Sequence, residues 1–134
     1  MDPAARGGDG PSTVLVVDDD FDIRQMLSLA LELDGFRVLS AANGEEALSL
    51  LRQGPRAELI LLDLMMPVMN GSQFRTEQRR DPDLWAIPVV VLTGNGSAGN
   101  AVAGAAGYLR KPIDVDDLLA TVRTVCAQRP LPPR

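Results

Sequence analysis

VLVVDDD, residues 14–20, sets four consecutive apolar residues directly before three carboxylates, and Asp22 adds a fourth two positions on. An uninterrupted apolar run of this length, ending in polar residues, is the pattern of a strand covered on both faces of a sheet. Its end is electrostatically costly. Two unit charges about 4 Å apart at an effective dielectric of about 20 repel by about 4 kcal/mol. A nearby cation is the simplest compensation.

Working outward, TVLVV (13–17), FRVLS (36–40), ELILL (58–62) and PVVVL (88–92) read as strands, with YLRK (108–111) as a short fifth. Helical signals fill the gaps. Residues 21–34 form a helix stopped by Gly35, where a left-handed conformation is easiest for glycine. Asn43 followed by Glu46 predicts a capping box opening a second helix, which ends before Gly54 and Pro55. From about Asp114, the residues Val115, Leu118, Leu119, Val122, Val125 and Cys126 make one apolar stripe at helical spacing. Two segments carry weaker signals. Residues 70–80 have an Asn70 and Gln73 cap but only Phe74 as an apolar anchor, which predicts the most exposed helix. Residues 94–107 hold five glycines, each costing about 1 kcal/mol inside a helix, so any helix there is short or frayed. The strand and helix alternation predicts a parallel α/β sheet built from right-handed crossovers.

The 134 residues, 46% hydrophobic with mean hydropathy +0.03, suffice for one core and predict one soluble domain. A net charge of -5, with no basic run, gives no electrostatic footprint for direct nucleic-acid binding. Cys126 is the single cysteine, which excludes an internal disulfide and suits a reducing compartment. No apolar run approaches a bilayer span and the N-terminus lacks a signal-peptide centre, so the expected location is cytoplasmic, without membrane contact. Five of the ten prolines fall at the ends, at Pro3, Pro11, Pro130, Pro132 and Pro133. The expected division is a disordered tail over 1–12, one domain over 13–127, and a Pro-rich tail or linker over 128–134.

On this framework Asp18 and Asp19 follow strand one, Asp63 strand three, Thr93 strand four and Lys111 strand five. In an open parallel sheet these carboxyl ends face one crevice, where ligands bind. Carboxylates without His or Cys neighbours suit a hard ion. Mg²⁺ takes one or two of them and keeps waters, leaving room for a phosphoryl group. Asp63 then reads as a nucleophile able to form an acyl phosphate, Lys111 as a partner for phosphoryl oxygens, and Thr93 as a hydrogen-bond donor to the product. Taken singly, each has a plainer reading as a strand-end acid, a solvated lysine or a turn residue. Asp20 and Asp22 read as the start of the first helix, where carboxylates suit the dipole. The alternate spacing of Asp18, Asp20 and Asp22 is not an EF-hand loop, because positions six and twelve are Ile23 and Leu29 rather than Gly and Glu.

Together VLVVDDD, LILLDLMMPVMNG, VVVLTG and YLRKPI closely resemble the CheY-like receiver domain of two-component response regulators. The resemblance implies a flavodoxin-like, doubly wound five-stranded sheet of order 2-1-3-4-5. It implies a phosphorylation-dependent switch in which Asp63 accepts a phosphoryl group from a partner histidine kinase or phosphotransfer protein. Mg²⁺ would be held by Asp19, Asp63 and the Met65 carbonyl, with Asp18 acting through water. Lys111 would pair with the phosphoryl group, and the peptide before Pro112 would be cis. Thr93 and Tyr108 would form the switch, and Met65 and Asn95 would tune phosphoryl lifetime. Beyond self-phosphorylation and slow self-dephosphorylation at Asp63, no enzymatic activity is implied. The output would pass to a protein target that the sequence does not name.

Two departures stand out. Asn70 replaces a frequent aspartate, and Thr93 to Tyr108 is about four residues shorter than usual, a contraction that falls on the fourth helix of the family. The expected result is a shortened or disordered helix, with residues 94–104 becoming ordered on phosphorylation. Two competing readings are a haloacid-dehalogenase-like phosphohydrolase, with Asp18 and Asp20 as its paired acids but Asp22 breaking its third position, and a phosphorylation-independent interaction module.

Overall fold

The computed structural model describes residues 12–66, 68–94 and 104–128. The elements are β1 (Thr13–Val17), α1 (Phe21–Leu33), β2 (Arg37–Ala41), α2 (Gly44–Gln53), β3 (Leu59–Asp63), α3 (Gly71–Arg80), β4 (Val89–Thr93), β5 (Gly107–Arg110) and α4 (Val115–Gln128). All neighbouring strands pair in parallel, in the order β2-β1-β3-β4-β5. This is the flavodoxin-like order the resemblance implied.

The continuous apolar runs are explained by two separate cores. Leu15, Val17, Ile60, Leu62, Val89 and Val91 point to one face and meet Ala47, Leu48 and Leu51 of α2 and Phe74 of α3. Val14, Val16, Leu59, Leu61, Val90 and Leu92 point to the other, against Leu27 and Leu31 of α1 and Leu118 and Val122 of α4. Side chains alternate across a strand, so a strand between two helical layers needs apolar residues at every position. Each fully buried aliphatic side chain contributes about 1.5–3 kcal/mol.

The predicted helix ends are largely as observed. Asp20 caps α1 by accepting from the Ile23 N–H at 3.1 Å. The other end closes with Gly35 at φ +95°, its N–H donating to Glu32 and that of Phe36 to Leu31. That pair of bonds is the Schellman arrangement. Asn43 caps α2 through the Glu46 N–H at 2.9 Å, but Glu46 Oε1 accepts from the Ala42 N–H at 2.7 Å, one residue earlier than a capping box requires. The full reciprocal box occurs instead at Asn70 and Gln73.

Phe74 is the one large apolar residue that α3 buries, as expected, but a polar residue is buried beside it. Gln78 is completely buried, donating through Nε2 to the carbonyls of Leu84 and Ile87 at 2.9 and 3.0 Å. Its Oε1 accepts from Arg75 at 2.8 Å. A polar side chain thus serves as the second anchor, by donating to two turn carbonyls, of which Leu84 also accepts from the Ile87 N–H and Ile87 relies on Gln78.

Strand β5 begins at Gly107, one residue before the position expected from the sequence. The shortened or disordered helix and the ordering of residues 94–104 fall mainly on 95–103, which lie outside the described residues. The predicted tails do too, except at their inner ends: Ser12 is buried, with its carbonyl accepting from the Arg37 N–H at 2.9 Å, and Gln128 is the last residue of α4 rather than the first of a tail. Among the described residues no helix is long and apolar enough to cross a membrane.

Candidate functional site

Four of the five strands, β1, β3, β4 and β5, deliver polar groups at their carboxyl ends. Beyond β1, the Asp18 N–H donates to the Ala41 carbonyl at 3.1 Å, extending the pairing with β2 by one residue and fixing where Asp18 turns. Asp63 closes β3, in register with Leu92. Past β5, the Lys111 N–H donates to the Thr93 carbonyl at 2.7 Å. Parallel pairing therefore gathers at one edge the residues that the chain separates.

They meet closely. One carboxylate oxygen from each of Asp18, Asp19 and Asp63 lies within 4.8 Å of the other two. Lys111 Nζ is 2.9 Å from Asp18 Oδ2 and 3.4 Å from Asp63 Oδ2. Asp18 is fully buried and Asp63 is 4% exposed, whereas Asp19 is exposed.

The consequences of this crowding appear in protonation. Burial, followed by the neighbouring Asp18 charge, pushes the Asp63 carboxyl up to about 6, against the opposing effect of the Met65 N–H and Lys111. Burial would lower Lys111, but the two carboxylates outweigh it and hold the ammonium above its ordinary value. Asp18 Oδ1 accepts from the Asp20 N–H at 2.9 Å, while Oδ2, despite the nearby Lys111, has no aligned hydrogen-bond donor. Three carboxylates facing one ammonium, with such an oxygen buried among them, fit a hard divalent cation.

The remaining predicted residues lie around this centre. The Met65 N–H donates to Asp63 Oδ1 at 3.2 Å, and its side chain is 77% exposed. Thr93 Oγ1 donates to the Leu109 carbonyl at 3.4 Å, a long bond. Tyr108 is 48% exposed on β5. The Lys111–Pro112 peptide is cis. Asn95 lies outside the described residues. Asp20 is engaged as the cap of α1, which takes it from the acid pair that a dehalogenase-like site would need.

Two features of the loop after Asp63 were not legible in the sequence. A Cβ on Gly71 would meet Leu64 Cα at 2.7 Å and the Asp63 carbonyl oxygen at 2.8 Å, so the first turn of α3 is pressed against this loop. Val68 has φ +67°, a left-handed conformation that costs a β-branched residue about 1–2 kcal/mol. Val68→Asn is therefore expected to raise unfolding free energy by about 1 kcal/mol, because asparagine tolerates this region. Urea denaturation checks this, and an unchanged or lowered midpoint would refute it.

The family model for the response regulator receiver domain matches residues 14–123. Protein PilH of Pseudomonas aeruginosa is 36% identical over 118 residues, covering 85% of this chain and 97% of PilH. The transcriptional regulatory protein CpxR of Klebsiella pneumoniae is 39% identical over 116 residues, covering 84% of this chain and 48% of CpxR. The chain spans about half the length of several such relatives, including 47% of the probable transcriptional regulator ycf27 of Porphyridium aerugineum. Among solved structures, the chemotaxis response regulator CheY4 of Vibrio cholerae superposes with a TM-score of 0.78 at 36% identity. The superposition covers 86% of this chain and 98% of CheY4.

Proposed function

Because the chain belongs to the response regulator receiver domain family, a family of phosphorylation-dependent signalling switches, we propose that Asp63 is its phosphoacceptor. The observation that carries this reading is the grouping of Asp63 with Asp18, Asp19 and Lys111 at the carboxyl edge of the sheet. At pH 7 a carboxyl titrating near 6 is mostly ionised, and so able to act as a nucleophile. Asp63 attacks the phosphorus of a phosphohistidine, a P–O bond forms, and the P–N bond breaks with its electron pair returning to the imidazole. The 134 residues contain no histidine, so the donor belongs to another segment or molecule, either a histidine kinase or a phosphotransfer protein. Lys111, already between Asp18 and Asp63, is placed to pair with phosphoryl oxygens once Asp63 carries an acyl phosphate.

Receiver domains bind Mg²⁺ at an acidic pocket, and Asp18, Asp19 and Asp63 are the residues that would hold it here, together with the Met65 carbonyl. When bound it would supply charge neutralisation on the transferring phosphoryl group. In this reading Thr93 exchanges its weak bond to Leu109 for a phosphoryl oxygen, and Tyr108 follows inward. Met65 and Asn95 tune the lifetime. Residues 13–127 form the receiver unit, working in the cytoplasm on a downstream protein target.

Incubation with acetyl phosphate and Mg²⁺ tests the proposal by intact-protein mass. The wild-type chain should gain one phosphoryl group, chelation of Mg²⁺ should suppress the gain, and Asp63→Asn should show none. Label persisting in the variant, or continuous turnover of the donor as in a phosphohydrolase, would overturn it.

A further inference from the structure

The loop between β1 and α1 must aim two carboxylates of different standing. Asp18 is buried and held from several sides, by the Ala41 carbonyl, the Asp20 N–H and Lys111. Asp19 is exposed, and among the described residues no hydrogen bond or ion pair of that kind holds its carboxylate. The direction of its Cα–Cβ bond is set by the backbone, above all by the peptide plane joining it to Asp18.

One side chain grips that plane. Arg24 reaches back from α1 and donates through Nη1 to the Asp18 carbonyl at 2.8 Å. Its guanidinium also lies over the Phe21 ring, 5.5 Å from the centroid. Phe21 is 61% exposed at the start of α1, so its service here is to Arg24 rather than to the core. Fixing the Asp18 carbonyl restricts the torsions on either side of the peptide, and with them the direction in which Asp19 leaves the chain.

We infer that Arg24, steadied by Phe21, is a positioning residue that pre-organises the Asp18–Asp19 peptide for divalent-cation binding. The inference rests on the reading of Asp18, Asp19 and Asp63 as a Mg²⁺ pocket, and it adds a residue that touches neither metal nor phosphoryl group. Partners that orient metal ligands commonly change affinity about 10–100-fold when removed.

The sign of the effect separates positioning from simple electrostatics. Arg24 is a cation beside Asp18, Asp19, Asp20 and Asp22, and removing a like charge alone would make Mg²⁺ bind more tightly. Loss of positioning makes it bind more weakly.

The experiment is isothermal titration of the full chain with Mg²⁺, paired with amide hydrogen exchange of the metal-free protein. Arg24→Ala should weaken binding by about tenfold and speed exchange at Asp19 and Asp20, while the helices keep wild-type protection. Arg24→Lys, which keeps the charge but loses the planar fork, should fall between the two. Phe21→Ala keeps both charge and donor and should weaken binding by a smaller factor, which preserves a readout should Arg24→Ala fail to fold. Unchanged or tighter Mg²⁺ binding in Arg24→Ala, with unchanged exchange at Asp19, would overturn the inference. A wild-type chain that binds no Mg²⁺ would instead overturn the pocket reading, and the exchange comparison would still decide whether Arg24 holds the loop.

Discussion

In metal-free buffer at pH 8, Asp63→Asn is expected to be more stable than the wild-type chain by about 2–3 kcal/mol. The carboxyl is raised from 3.8 to about 6 by burial and by Asp18. Every tenfold change in proton affinity between the folded and unfolded chain is worth about 1.36 kcal/mol. Between pH about 4 and about 6 the folded chain binds more protons at this site than the unfolded chain does, so stability falls as pH rises through that window. Asparagine keeps the shape and cannot ionise, so it should remove this fall.

Asp34, held below the usual carboxylate range chiefly by Arg123, acts with the opposite sign: its contribution is present above its unfolded value and lost as pH drops. Asp81, lowered chiefly by the Asp83 N–H, does the same. The wild-type profile should therefore peak near the acidic edge of the Asp63 window, and the variant should reach a plateau there instead. Chemical denaturation at fixed pH in the presence of a chelator measures both curves. A variant no more stable at pH 8 than the wild type would refute the account. Mg²⁺ at about 100 times its dissociation constant should restore about 2.7 kcal/mol to the wild-type chain alone.

The second large effect concerns Gln78. Gln78→Leu should destabilise the fold by about 3 kcal/mol, although it replaces a buried polar side chain with an apolar one of similar size. The reason lies in the partners left behind. The Ile87 carbonyl loses its donor, the Leu84 carbonyl keeps only the Ile87 N–H, and Arg75 Nη1 loses its acceptor, and each buried unpaired group costs about 1–3 kcal/mol. Gln78→Glu is expected to be comparably harmful, because it keeps an acceptor for Arg75 but turns carboxylate oxygens toward two carbonyls. Urea denaturation of both variants is the check. A loss below about 0.5 kcal/mol for Gln78→Leu would show that water or rearrangement satisfies the turn.

The contrast between Gln78 and the strands shows what a sequence can display. VLVV, LILL and VVVL reveal both-faced burial because every residue in them is apolar, and the topology then brings Asp18, Asp63 and Lys111 together. Asp20, Asn43 and Asn70 announce helix starts through bonds only a few residues long. Gln78 and Arg24 are different. Their importance comes from carbonyls six or more residues away, and no periodicity marks a backbone oxygen that needs a donor. The displaced partner of Glu46 has the same origin, since the reciprocal bond depends on how the chain approaches α2 rather than on residue types. The Asp63 protonation was readable only as crowding of like charge, because its magnitude depends on burial.

The tight seat of α3 against the Asp63 loop bears on how the fold passes on a local change. Gly71 leaves no room beside Leu64, and a Cβ on Gly44 would meet Met69 at 2.8 Å, so the loop is walled in by α2 and α3 alike. If Asp63 is phosphorylated as proposed, the added group would act as a wedge with one side tightly packed. Under the proposed reading its thrust would go toward β4 and β5, where Thr93 holds Leu109 only at 3.4 Å and Tyr108 is half exposed. Stiffness on one flank would thus leave the opposite flank of this edge as the direction in which to yield.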